Sequence, residues 1–413
     1  MPRNYLLTAY KVFMRRKLFT AINLMCIVLT LVVLMVLTAM LENAFFPTGV
    51  EGKSDRFLQV SSVHARSADG RNITTGPLGY KLIDTYLKPM PSVERVAVAS
   101  RPRKVAIYQE GRITTLEMRL VDANYWKVLD FTLLEGRLPN EDDDAQGRQV
   151  AVINASSAKR LFGPGSVAGR TISASGQALK VIGVVQDEMH LNAYADLWAP
   201  IASSPTTSYK HEMFGSFTAL LLARSSNDLD MVRQNVKEVA KTVQFDDARA
   251  NTRTLFWADD KLDVFARATM WSMEQEDSGA RKLLLILGTL MFLFMLLPAL
   301  NLVNLNTGRI VERSSEIGVR KAFGATSAQL VGQLVVENLL LCLAGGIIGL
   351  ACAQAVLMWI AYSGVIPYLR LSINLPVMAY GFIITVVFGL LSGVLPAWKM
   401  SRLDPVHALK GTA

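Results

Sequence analysis

The chain has 413 residues, 51% of them hydrophobic and 19% charged, with 43 Lys and Arg against 34 Asp and Glu for a formal net charge of +9. That length holds two or three domains of ordinary size. All three cysteines, Cys26, Cys342 and Cys352, lie in apolar runs, which excludes a disulfide framework, and the placement of the basic residues excludes a nucleic-acid footprint.

Four runs, 18–41, 283–305, 338–368 and 371–398, carry no charged residue. Each reaches the roughly 20 residues needed to cross a bilayer. The expectation is an α-helical membrane protein with four transmembrane helices, at 18–41, 283–305, 329–362 and 373–398. Between the first two stands a large domain, 42–282, and between the last two a short loop, 363–372. Residues 1–17, 306–328 and 399–413 together hold twelve basic and three acidic residues, a surplus equal to the whole net charge. Basic excess marks cytoplasmic segments, so both termini and the 306–328 loop are expected inside and 42–282 outside. The first run is too long for the core of a signal peptide and is expected to stay as an anchor.

In chain order, residues 1–17 space Leu6, Leu7, Tyr10, Phe13 and Met14 against Lys11, Arg15 and Arg16 as an interfacial helix. The external domain reads as two separated β-α-β units. The first has strands at 57–63 and 93–99 around a helix at 78–87; the second has strands at 217–223 and 252–257 around a helix at 229–243. In that second helix Leu229, Val232, Val236, Val239 and Val243 form a buried stripe. Such a pair predicts an α+β, ferredoxin-type or porter-like layer, with residues about 103–210 as an inserted β-rich subdomain. Residues 259–281 are charged and helix-compatible, and predict a continuous stalk helix running into the second span.

Few residues suggest catalysis. Gly52-Lys-Ser54 lacks the first glycine of a phosphate loop, Pro47 standing in its place. His64, His190, His211 and His407 make no metal-ligand spacing. Asp142-Asp-Asp144 lacks the glycine and closing glutamate of a calcium loop. No catalytic or metal-binding residue is assigned, and the chain is expected not to be an enzyme.

The most informative stretch is Glu312-Arg-Ser-Ser-Glu-Ile-Gly-Val-Arg-Lys-Ala-Phe-Gly324, between two apolar runs. As a helix it aligns Glu312, Glu316 and Arg320 in one i,i+4 row. Gly324 ends it, and Thr326-Ser-Ala-Gln329 spells a capping box for the next helix. Further on, Glu337 is the one acid near a membrane interior. Its two readings are a functional group and a side chain reaching interfacial water. Gly345, Gly346 and Gly349 include a small-xxx-small pair that favours close helix contact.

These residues resemble a known family. The 312–325 stretch, followed by Gln333, Glu337 and Gly345-Gly-Ile-Ile-Gly349, is similar to the permease signature of the MacB/FtsX family of ABC transporters. Ser392-Gly-Val-Leu-Pro-Ala397 and Arg402-Leu-Asp-Pro-Val-His-Ala-Leu409 are similar to its closing motif. Ala123-Asn-Tyr-Trp126, Glu135-Gly-Arg137, Val150-Ala-Val-Ile-Asn154, Arg160-Leu-Phe-Gly163 and Val181-Ile-Gly-Val-Val185 resemble its periplasmic core domain.

The resemblance implies a multi-pass protein of a bacterial inner membrane, working by mechanotransmission. Its coupling helix, Glu312, Arg313, Glu316, Ile317, Gly318, Arg320, Lys321, Phe323 and Gly324, would seat in a groove of a separate ABC ATPase. ATP and Mg would be bound by that ATPase dimer and no cofactor by this chain. Glu337, Gly345, Gly346 and Gly349 would serve helix packing. The other implied partners are a second permease copy or homologous permease, membrane lipid and a periplasmic adaptor, with no nucleic acid. Efflux or movement of a peptide, antibiotic or lipoprotein is the leading expectation; regulation of a periplasmic partner without transport is the alternative.

Overall fold

A computed structural model describes residues 17–312 and 326–363, except 68, 70, 110, 246–252 and 273–274, together with Met14, Val319, Phe323 and isolated positions between 379 and 390. The chain divides into two units. One comprises residues 1–42, 284–366 and 370–413, the other 43–283 and 367–369. The expected interfacial helix and the fourth span fall almost wholly outside the described residues.

Chain order starts with α1 (Lys17–Phe45). Then come β1 (Phe57–Val60), β2 (Val63–Arg66), β3 (Ile73–Gly76), α2 (Tyr80–Leu82, widening into a looser turn over Ile83–Leu87) and β4 (Arg95–Ser100). They are followed by β5 (Arg103–Gln109), β6 (Arg112–Val121), α3 (Tyr125–Val128), β7 (Leu133–Gly136), α4 (Glu141–Ala145), β8 (Val150–Asn154) and α5 (Ala155–Phe162). The ectodomain ends with β9 (Thr171–Ala174), β10 (Gln177–Val185), β11 (Leu197–Pro200), β12 (Phe217–Leu222), α6 (Leu229–Thr242), β13 (Arg253–Leu255) and α7 (Lys261–Met270). Last come α8 (Ala280–Glu312) and α9 (Ser327–Ser363).

The two β-α-β units interleave. Strand β12 lies between β1 and β4 and is antiparallel to both, while β13 pairs with β2, the continuation of β1. The sheet is covered on both faces. Leu82, Ile83 and Leu87 with Val232, Val236 and Ala240 pack on one side, and Tyr125, Trp126, Phe131 and Trp198 on the other. Double coverage explains why β4 and β12 read as nearly unbroken apolar runs instead of alternating ones. Residues 57–63 divide into two strands at Ser61 and Ser62, where the first stops pairing with β12 and the second starts pairing with β13 and β3.

Strands β5 to β11 hold a feature that local patterning does not announce. The order β6, β11, β8, β10, β9, β5 returns to β6, so six strands close into a ring. Ile107, Leu116, Ile153, Ile172, Leu179, Val181 and Leu197 fill its core. Closure leaves none of these six strands as an open edge.

The Glu135-Gly-Arg137 motif pins β7 to this ring. Gly136 has φ +76°, and a Cβ there would fall 2.1 Å from the Ile182 carbonyl oxygen. Glu135 accepts from the Val167 and Ala168 amides at 3.0 and 2.9 Å and from the Ser166 hydroxyl. The Ser166 bond and the two amides hold its carboxyl below the usual carboxylate range. Arg137 grips Asp143 through two bonds of 2.6 and 3.0 Å, and Arg148 adds a third at 3.2 Å. Thus Asp143, from the acidic run 142–144, serves an ion-pair network and the N-terminal cap of α4. Gly136→Ala is expected to lower stability by more than the about 1–2 kcal/mol that left-handed backbone costs an L-residue, because the carbonyl contact adds to it. A denaturation midpoint equal to wild type would contradict this.

Candidate functional site

Three places in the chain are candidate functional sites. The first is the 312–324 stretch. Helix α8 carries the chain to Glu312. Arg313, Glu316, Ile317, Gly318, Arg320, Lys321 and Gly324 lie outside the described residues. Phe323 is exposed, and its amide donates to the Val319 carbonyl at 3.1 Å, the i→i−4 bond of a helical turn. Beyond it the Thr326 amide donates to Gln329 Oε1 at 3.0 Å and the Gln329 amide to Thr326 Oγ1 at 3.3 Å. This reciprocal pair is the capping box that the spacing predicts, and α9 starts there.

The second place is the contact between α1 and α9. Glu337 is buried and accepts from Gln333 Nε2 at 3.1 Å, one turn back on the same helix. A Cβ on Gly345 would sit 2.7 Å from Ile27 Cγ2, and one on Gly349 2.9 Å from Leu31 Cδ1. Gly346 faces Phe382 at 2.5 Å in the same sense. Ile27 and Leu31 join Leu341 and Cys342 in a small apolar core. Because 345 meets 27 and 349 meets 31, both helices advance in the same direction.

The third place lies within the ectodomain, around the segment that follows α1, where no sequence motif pointed. Glu51 and Lys261 are both buried and form an ion pair of 3.0 Å. Lys261 also donates to the Phe46 carbonyl at 3.1 Å, and Glu51 accepts from the Asn192 amide at 2.9 Å. The segment leaving α1 is therefore bound to the first residue of α7. Thr48 adds a 3.1 Å contact to His190, which in turn lies 3.2 Å from Glu188.

Helix α7 is fastened at its other end too. Buried Arg267 donates to Asp259 Oδ2 at 2.7 Å and to the carbonyls of Ser272, Gln275 and Glu276 at 3.0, 2.5 and 3.1 Å. Burial pushes the Asp259 carboxyl up, against the pull of Arg267. Ser278 donates to Asp263 at 2.5 Å, so the residues that lead into α8 are folded back on α7. This corrects the expectation of one continuous helix over 259–281. The helix stops at Met270, Trp271 turns left-handed at φ +55°, and Gly279 does so again at φ +81°. The Arg267 fork draws together carbonyls that a continuing helix would have used itself. Gly52-Lys-Ser54 forms turns nearby, with Lys53 paired to Asp130 at 2.6 Å.

An α+β domain and long apolar helices in one chain define a membrane protein that carries a large domain outside its apolar part. Among the described residues two helices, over Thr20–Phe45 and Val331–Ser363, are long and apolar enough to cross a membrane. The chain belongs to the MacB/FtsX family of ABC transporter permeases: residues 20–239 match the MacB-like periplasmic core domain and residues 288–405 the FtsX-like permease C-terminal region. It is similar to the ABC transporter permease YknZ of Bacillus subtilis strain 168, 24% identical over 330 residues covering 78% of this chain and 77% of that one. It is also similar to the macrolide export ATP-binding/permease protein MacB of Chromobacterium violaceum, 25% identical over 307 residues, 70% of this chain. The chain spans 42% of the length of that MacB. Among solved structures, the periplasmic region of MacB from Actinobacillus actinomycetemcomitans matches with a TM-score of 0.36 and 18% identity, over 50% of this chain and 91% of that one.

Proposed function

We propose that this permease is driven by a separate ABC ATPase that binds ATP and Mg and grips the 312–324 helix, and that the motion is delivered to the ectodomain to move a periplasmic substrate. In this reading Glu312, Arg313, Glu316, Arg320 and Lys321 supply the charged contacts, Ile317 and Phe323 the apolar ones, and Gly318 and Gly324 the close approach and the stop. Four helices cross the inner membrane with both termini cytoplasmic. The permease acts as a dimer with itself or a sibling, beside two ATPase subunits and a periplasmic adaptor. A peptide, an antibiotic or a lipoprotein is the proposed cargo.

The observation that carries the reading is the shared direction of α1 and α9. The ectodomain follows the end of α1, and α9 runs in the same direction as α1, so the chain has to cross back between them. Helix α8, of 33 residues, is the element available for it. Gly345 and Gly349 let α1 and α9 approach closely enough to move as one body, and Glu337 is held by Gln333 beside that contact. Lys261 then ties the segment that follows α1, and Arg267 the loop that precedes α8, into the ectodomain, which favours transmitted movement over a slack tether.

The test is a double charge reversal, Glu316→Lys with Arg320→Glu, in the assembled complex. An i,i+4 pair is worth only about 0.2–0.5 kcal/mol, and the double reversal keeps opposite signs in the row. Folding and membrane insertion are expected to survive while ATP hydrolysis no longer drives function. Normal coupling between ATPase rate and function in the double variant would refute the docking role.

A further inference from the structure

Trp271 is an anomaly in the ectodomain. It follows α7 at φ +55°, a conformation that helix ends usually give to glycine. Its own amide and that of Ser272 both return to the Arg267 carbonyl, which holds the backbone in this turn. The side chain is 89% exposed. A large apolar ring in a disfavoured backbone position and in contact with solvent is doubly unfavourable for a domain bathed in water.

Its surroundings say what covers it. Phe265, 47% exposed, lies one face along α7 and meets the ring of Phe45 edge-on at 5.4 Å. Phe46 is 61% exposed, and its carbonyl is held by Lys261. Phe45 is the last residue of a helix long and apolar enough to cross a membrane. On the other side, a Cβ on Gly279 would touch Met270 at 3.2 Å, and Gly279 immediately precedes α8. Phe46 and Phe265 therefore adjoin the end of α1, and Trp271 follows Met270, which packs beside the start of α8; Trp and other amphipathic rings favour the headgroup layer where spans leave the membrane.

We infer that Trp271, with Phe46 and Phe265, is a lipid-interface anchor seated among the phospholipid headgroups of the leaflet facing the ectodomain. This rests on reading α1 and α8 as spans. The anchor holds α7 at constant depth, so that movement of either span turns the ectodomain base instead of sinking it.

The full chain in lipid nanodiscs provides the test, with Trp271→Phe and Trp359→Phe compared with wild type by fluorescence difference. Trp359 is 66% exposed on α9 and reports insertion. Both sites are exposed, so neither change should disturb folding. The Trp271 difference emission should be blue-shifted, quenched by phospholipids brominated near the glycerol end of the chain, and protected from iodide. Quenching by iodide but not by bromolipid would overturn the anchor, as would protection from both, which is the mark of a second protein covering the ring. In either case quenching of Trp359 by bromolipid would leave the reading of the spans intact. Absence of lipid quenching at both tryptophans would remove the spans and the anchor together.

Discussion

Replacing Lys261 with methionine is expected to destabilise the ectodomain by about 3–5 kcal/mol, because Glu51 would remain buried without its counter-charge. For a domain of this size that lowers the unfolding midpoint by on the order of 10 °C. The Phe46 carbonyl would lose its donor as well, freeing the segment that joins α1 to the domain. Adding Glu51→Gln should recover much of the loss, since a neutral pair has no charge to strand and the glutamine oxygen can still accept from the Asn192 amide. Thermal unfolding of the intact protein, followed through the emission of buried Trp126 and Trp198, reads both effects. A single variant as stable as wild type, or a double variant less stable than the single, would show that the pair does not hold this segment.

Raising the pH from 4 toward 8 is expected to weaken the ectodomain through Asp122. This carboxylate accepts from the Val98 and Tyr125 amides at 3.0 and 3.1 Å. Burial outweighs those bonds and pushes its pKa from 3.8 up to about 7. Between those values the folded chain keeps a proton that the unfolded chain has released, so folding becomes less favourable as pH rises through about 7. A shift of this size corresponds to a contribution of roughly 4 kcal/mol, fully present below pH 3.8 and lost above 7. Asp144, also raised by burial, to about 6, acts in the same sense. Asp143 acts in the opposite one. Its bond with Arg137 lowers it to about 2, so its stabilisation is present above 3.8 and fades as pH falls through about 2. Asp122→Asn should flatten the decline between pH 4 and 7, becoming more stable relative to wild type as pH rises. Parallel stability curves for the two proteins across that range would rule Asp122 out as the source.

The elements that could be read early are those whose cause is local. Val232 and Val236 announce α6 because a helix buries one stripe, and both are buried. Thr326 and Gln329 announce the start of α9 because both partners of a capping box lie within one turn. The misreading of 259–281 has an equally local origin. The residues suit a helix one by one, and the stop falls on a tryptophan in place of the glycine that usually marks it. Arg267 decides the matter by binding three carbonyls from the following loop.

The amino-acid sequence alone carried the apolar runs and the family likeness of this protein, because an apolar run and a signature motif are contiguous patterns. Tertiary structure alone decided that β5, β6 and β8 to β11 close into a ring, that Glu51 finds Lys261, and that α1 packs against α9 through Ile27 and Leu31. Each of those depends on partners far apart in the chain. A strand or a charge carries no local mark of which distant partner it will meet, so folding has to bring them together before the pairing exists.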